Sequence, residues 1–274
     1  RINGNATRSF PQKSLRLYSK DKMILNPWGE KIHSILLRNG GNTWETSVIG
    51  DLMAQSMVED CGLLHQRGKS TIVLINGHYW GIHNIRDRLK AENIASIKKC
   101  GLENVAVFEE WEVADGNIKR GEKLLDILSR IQAGEDVKFK EIEKEVSIKD
   151  FARYFVIQTF LANSDWPTNN FLMYKIRKGK WHPVLSDLDF TLGYNGVAAP
   201  EDNHFEKIDG LGEVGVLING LKHKKKFREA LVKAYGDLEE IGLFDANVFK
   251  SKLSELSNTI EPEISYQIRR WGKP

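Results

Sequence analysis

The chain has 274 residues, 41% of them hydrophobic and 28% charged, enough to bury a substantial core as one large domain or two closely packed lobes. This composition excludes a disordered chain, a collagen and a coiled coil. Lys and Arg number 40 against 37 Asp and Glu, so a net charge of +3 excludes a nucleic-acid binder that works by bulk charge.

The longest apolar runs, residues 70–75 and 154–162, fall well short of the roughly 18 residues that a membrane-spanning helix needs. Two cysteines, Cys61 and Cys100, stand in no metal-ligand spacing and can form at most one bridge. The chain opens Arg-Ile-Asn-Gly, without an initiator Met or a signal peptide, which reads as a boundary within a longer protein.

Residues 12–18 alternate polar and apolar as a half-buried strand does, and residues 33–38 read as a second strand ending at Asn39-Gly-Gly. From Thr46, the positions Val48, Ile49, Leu52, Met53 and Met57 keep helical spacing, with Gly62 as a stop. Residues 71–75 and 79–85 are β-rich runs around Asn76-Gly77-His78, and Asn-Gly accepts the positive φ angles of a hairpin turn. Residues 86–150 read as more polar and helical, with 118–133 the clearest amphipathic stretch. The next helix, over 148–162, carries aromatic and aliphatic side chains nearly all round and is expected at the centre of the second half.

A polar loop, residues 164–170, follows that helix. It leads into a strand at 171–176, a turn at 178–180 and a partner strand at 181–185 that ends in Ser186-Asp-Leu-Asp189. From about Lys222 the pattern is helical again, over 227–235, 246–258 and a last segment ending at Trp271.

A hairpin brings its outer ends together, so Asp165 and Asn170 before the first strand are expected to meet Asp187 and Asp189 after the second. Like charges so close repel unless a cation neutralises them, and hard oxygen ligands suit Mg²⁺, Mn²⁺ or Ca²⁺. The order Asp165-x4-Asn170, hairpin, Asp187 is similar to that of protein kinases, although neither His-Arg-Asp nor Asp-Phe-Gly is present. The plainer reading of the same residues is that they cap a turn and end a strand. At the N-terminus, residues 4–11 form a small-residue loop with Asn5, Thr7 and Arg8, entering a strand that carries Lys13 and Arg16; backbone N–H groups and a cation there would meet phosphates.

Together these segments resemble the CotH family, the spore-coat-protein-H-like atypical kinases. The matching stretches are residues 1–17, Leu37-Arg-Asn-Gly-Gly-Asn, residues 74–88, Asn163-Ser-Asp-Trp-Pro-Thr-Asn-Asn-Phe, residues 180–193 and Arg270-Trp271. The resemblance implies an α+β, two-lobed, protein-kinase-like fold. A β-rich N-lobe would span 1–90, and a helical C-lobe over 91–274 would carry the catalytic loop and metal-binding hairpin. It implies ATP with Mg²⁺ or Mn²⁺ as cofactors and Ser/Thr hydroxyls of proteins, spore coat proteins among them, as acceptors. By position, Asp165 is similar to the family's catalytic Asp, Asn170 and Asp187 to its metal ligands with Asp189 adjacent, and Lys13 to the phosphate-contacting lysine, helped by Arg8. Residues 81–88 would lie near the adenine, with Asp87 where the family often has Glu. The carboxylate partner of Lys13 is left among Glu45, Asp51 and Glu59. A secreted or envelope-attached setting also follows from the family.

Other residues invite roles that the pattern does not support. Trp80, Trp181 and Trp271 fit packing better than carbohydrate stacking, whereas Trp166 lies inside the 164–170 loop, where it would lean on substrate or on the neighbouring helix. The seven His residues show no ligand spacing, and the Lys222–Lys226 run reads as a solvated face. Two other readings remain beside the kinase: a non-catalytic cell-surface or adhesion module on the same scaffold, and a metal-dependent hydrolase of ATP. In the kinase reading, cationic groups at 8–16 face acidic groups at 165–189 across a cleft that metal and triphosphate would complete.

Overall fold

The computed structural model describes residues 1–20, 24–194, 199, 201–208 and 210–273, the side chains of His204 and Phe205 excepted. The fold is mixed α+β. A short 3-10 turn (Ala6–Ser9) leads into β1 (Leu15–Tyr18); β2 (Ile24–Leu25) and β3 (Lys31–Ile32) make a small ribbon, and β4 (Ser34–Arg38) follows. A second 3-10 turn (Gly41–Glu45) enters α1 (Gly50–Met57), and then come β5 (Leu64–His65), β6 (Gly68–Ile75) and β7 (His78–Arg86). The chain continues through α2 (Ala91–Ile97), β8 (Val105–Glu109), β9 (Glu112–Gly116), α3 (Glu122–Gln132), α4 (Phe139–Glu145) and α5 (Ile148–Phe160). It finishes with β10 (Leu172–Ile176), β11 (Trp181–Leu185), α6 (His204–Lys207), α7 (Gly212–Leu221), α8 (Lys225–Glu240) and α9 (Ala246–Trp271).

Two sheets organise these elements. The first has the antiparallel order β1-β4-β7-β6. Its β6–β7 hairpin turns at Asn76 and Gly77, both at positive φ (51° and 79°), as the Asn-Gly pair predicts. The second sheet runs β5-β11-β10-β8-β9 and is antiparallel except where β5 lies parallel to β11. Beneath it sits the largest apolar cluster, built from α3, α5, α7, α8 and the inner face of α1. In α3 the buried residues Leu124, Ile127, Leu128 and Ile131 follow one helical stripe. α5 is buried on most of its faces, as its aromatic pattern predicts.

The region expected to be helical departs from expectation at 105–116, which forms the β8–β9 hairpin. The apolar run Val105–Phe108 is fully buried and pairs with β10 on one side and β9 on the other. Its turn is Glu110-Trp111, two non-glycine residues at φ 52° and 62°, so no Gly, Asn or Pro marks it in the sequence. At the C-terminus, the two expected helical segments form one 26-residue helix that runs through Pro262. α9 returns to the first sheet, where Ile260 packs with Val48, Ile49, Leu52 and Ile82.

The tryptophans pack as expected: Trp181 is fully buried and Trp80 meets Trp271 edge-on at 5.0 Å. Trp166 leans on α5, edge-on to Tyr154 and Phe155, and not towards the open side of its loop. Cys61 and Cys100 are both free thiols, and burial pushes the Cys61 thiol up to about 11.

Candidate active site

The β10–β11 register pairs Leu172 with Val184, so the loop before β10 and the loop after β11 leave the sheet at one end. Ser186 fastens them together by donating from Oγ to the Asn170 carbonyl at 3.2 Å. Asn170 and Asp187 both adopt left-handed backbone (φ 61° and 47°), a conformation that the short polar side chains of Asn and Asp tolerate better than most. Both residues line a cleft of about 770 Å³ between the two sheets. Asp165, Asn169 and Phe190 line it with them, as do residues 3–7, Arg38, Asn42, Glu110, Trp111 and Glu213.

Asp165 is held from both oxygens: Asn169 Nδ2 donates to one at 2.7 Å and Asn170 Nδ2 to the other at 2.8 Å. These bonds orient the carboxylate without neutralising it, which leaves it an acceptor for a hydroxyl. Asn170 uses its amide nitrogen in this way, and its Oδ1 keeps its capacity as an acceptor.

Arg38, at the end of β4, reaches three carboxylates. Its Nη2 donates to Asp187 and, at 2.7 Å, to Asp189; its Nη1 lies 3.3 Å from Asp51 on α1. Burial works against the Arg38 charge, but Asp187, Asp51 and Asp189 overrule it and hold the guanidinium firmly protonated. Asp51 also pairs with the fully buried Arg86 at 2.9 Å and accepts the Leu188 N–H at 2.9 Å. Burial alone would push the Asp51 carboxyl up; Arg86 and Arg38 hold it below the usual carboxylate range. Asp189 is pushed up to about 7, chiefly by burial and then by the nearby Asp187 and Asp51 charges, against the pull of Arg38.

The expected residues divide accordingly. Asp165, Asn170, Asp187, Asn5 and Thr7 meet at the cleft, whereas Lys13, Arg8 and Asp189 are not among its lining residues. Lys13 turns its ammonium onto the Arg8 carbonyl at 2.7 Å. Asp189 is buried, its Oδ2 taking the backbone and side-chain N–H groups of Asn42 as well as Arg38, so it holds the 3-10 turn rather than facing the cleft. Of the three candidate partners for Lys13, Asp51 pairs with arginines, while Glu45 and Glu59 stand 4.0 Å from Lys273 and Lys252. No residue of 81–88 lines the cleft, and Asp87 pairs with Arg67 at 2.6 Å.

Sequence reasoning missed Arg38, Asn42 and Glu213. Arg38 and Asn42 sit within the quoted Leu37-Arg-Asn-Gly-Gly-Asn stretch, where a cation before two glycines was the available signal. Glu213 accepts the Trp111 N–H at 2.7 Å and so steadies the β8–β9 turn at the cleft edge, a contact across 102 residues.

A family model described as CotH kinase protein matches residues 1–274. The chain belongs to the CotH kinase family. No curated protein matches it. In this CotH-family chain Asp187 and Asn170 bring hard oxygens to the cleft, the ligand type that suits Mg²⁺ or Mn²⁺. Among the described residues no three His, Cys, Asp or Glu side chains are grouped to hold an ion. An ion held there by so few protein ligands would depend on other ligands brought with it.

Proposed function

We propose that this CotH-family protein is a two-lobed, protein-kinase-like enzyme that transfers a phosphoryl group from ATP to Ser or Thr hydroxyls of proteins, with Mg²⁺ or Mn²⁺, in a secreted or envelope-attached setting. The observation that carries the reading is one cleft lined by the oriented Asp165 carboxylate, Asn170 and Asp187 together with the small-residue loop 3–7 and Arg38. Asp165 would accept a hydrogen bond from the acceptor hydroxyl and hold it in line. Asn170 Oδ1 and the Asp187 carboxylate would hold the cation. Bound with ATP, that cation would supply charge neutralisation on the transferred phosphoryl oxygens. The open backbone of residues 3–7 would lie along the phosphates, and positioning of this kind is most of what phosphoryl transfer asks of a protein.

The test uses purified protein, radiolabelled ATP and acceptor proteins, with thermal melting in parallel. Ligand at about 100 times its dissociation constant stabilises by about 2.7 kcal/mol, a rise of roughly 5–11 °C for a chain of this size. Wild type is expected to label protein and to melt higher with ATP and Mg²⁺ or Mn²⁺; Asp165→Ala is expected to keep the melting shift and lose the label. Equal labelling by the variant refutes the role of Asp165. No shift at millimolar nucleotide favours the adhesion module, and phosphate release without a labelled acceptor favours the hydrolase.

A further inference from the structure

The structure assigns to Arg38 the part of a positioning residue: by tying Asp187 to Asp51 and Asp189, its guanidinium sets the direction in which the Asp187 carboxylate faces the cleft. The assignment rests on the kinase reading, in which Asp187 holds the metal.

Arg38 is the one basic side chain among the described residues that line the cleft. One nitrogen serves both Asp187 and Asp189 while the other faces Asp51, a division that a planar fork can make and a single ammonium cannot. The surrounding backbone is shaped to this group. A Cβ on Gly41, which sits at φ 65°, would come within 2.4 Å of Asp189 Oδ2 and 2.5 Å of Arg38 Nη2. Arg86, fully buried, already pairs with Asp51, so Asp51 does not depend on Arg38 for a partner. Of the three carboxylates on the fork, Asp187 is the one open to the cleft, its side chain 34% exposed against 1–2% for the other two. A carboxylate fixed from behind and open towards the cleft is suited to a divalent cation.

Arg38 also joins parts of the chain that are distant in sequence. It ends β4 in the first sheet, while Asp187 and Asp189 follow the second sheet's β11. Asp51 completes the tie by accepting the Leu188 N–H. Loss of the fork would free residues 186–190 to move without unfolding the hairpin that precedes them.

The test compares wild type with Arg38→Lys and Arg38→Gln by three measurements: amide exchange of residues 186–190 against the hairpin 172–185, binding of Mn²⁺–ATP by electron paramagnetic resonance, and Mn²⁺ dependence of phosphoryl transfer. Both variants are expected to exchange at least tenfold faster at Leu188 with the hairpin unchanged, and to need at least tenfold more Mn²⁺ for half-maximal rate. A merely structural Arg38 would lower melting temperature and rate together and leave the Mn²⁺ requirement where it was; that result overturns the assignment. So does unaltered Leu188 exchange alongside normal Mn²⁺–ATP binding. Failure of the kinase reading looks different: the wild type itself binds no Mn²⁺–ATP, and the assignment falls with it.

Discussion

Replacing Asp51 with Asn keeps the shape of the side chain and the oxygen that accepts the Leu188 N–H, and removes only the charge. Arg86 at 2.9 Å and Arg38 at 3.3 Å then face a neutral amide. At an effective dielectric of about 20, a charge pair near 3 Å is worth roughly 5 kcal/mol before desolvation. Dropping the buried carboxylate also recovers several kcal/mol of its desolvation, so the net cost of breaking such a pair is about 3–5 kcal/mol. For a chain of this size that corresponds to a fall in melting temperature of roughly 6–20 °C. The assay is calorimetry at pH 7 with urea unfolding alongside, where the midpoint should fall and the slope should not. The Asp51 carboxyl lies below its ordinary range, so its contribution is present above the unfolded value near 4 and is lost as pH falls through the lower folded value. Wild type and Asp51→Asn should therefore converge in acid. A neutral-pH difference below about 1 °C would refute the reasoning, because two buried guanidinium groups would then be content without the charge.

Three further outcomes follow from the same geometry. Gly41→Ala should cost at least about 1–2 kcal/mol in unfolding free energy, from left-handed backbone and the clash with Asp189 and Arg38; an unchanged urea midpoint would count against the close approach. Glu213→Ala should leave the Trp111 N–H without its acceptor and cost about 1 kcal/mol, with faster amide exchange confined to residues 109–112; exchange unchanged there would show that the turn holds its two positive φ angles without help. Burial pushes the Glu30 carboxyl up, but Arg67 and Asn26 outweigh it and hold it below the usual glutamate range. Its stabilising effect should be full above about pH 5 and fade as the pH falls below about 4. Asp87, also on Arg67, is pushed up by burial and has the opposite sign, its effect weakening as pH rises. Glu30→Gln should flatten the acid side of the melting-temperature profile, and an identical acid slope would argue against the pairing.

The hairpins at 68–86 and 172–185 were legible because Asn-Gly and Lys-Gly-Lys turns separate β-rich runs, and the convergence of Asp165, Asn170 and Asp187 follows from the second of them. The β8–β9 hairpin was hidden because Glu110-Trp111 turns without a turn residue, its conformation held by Glu213 far along the chain. Lys13 has suitable chemistry beside a glycine-bearing loop, but residue type does not fix which way a side chain faces, and its ammonium satisfies a local carbonyl instead. The part played by Arg38 was out of reach for a related reason: its partners Asp187 and Asp189 lie 149 and 151 residues away and become neighbours only when the two sheets are built.

One buried amide joins segments from opposite ends of the sequence. Gln12 donates to the Ile82 carbonyl at 2.8 Å and accepts from Trp44 at 2.8 Å and from Gln267 at 2.7 Å, while Gln267 also accepts the Ile82 N–H at 2.9 Å. Until α9 arrives, the Ile82 N–H lacks its acceptor and Gln12 Oε1 one of its two donors, in a place that water leaves on folding. During synthesis the first sheet is therefore made well before it is completed: its last strand ends at Arg86, but the bond that closes its polar interior waits for Gln267. A wall of the cleft thus takes its final form only after the segment that forms α9 has been made.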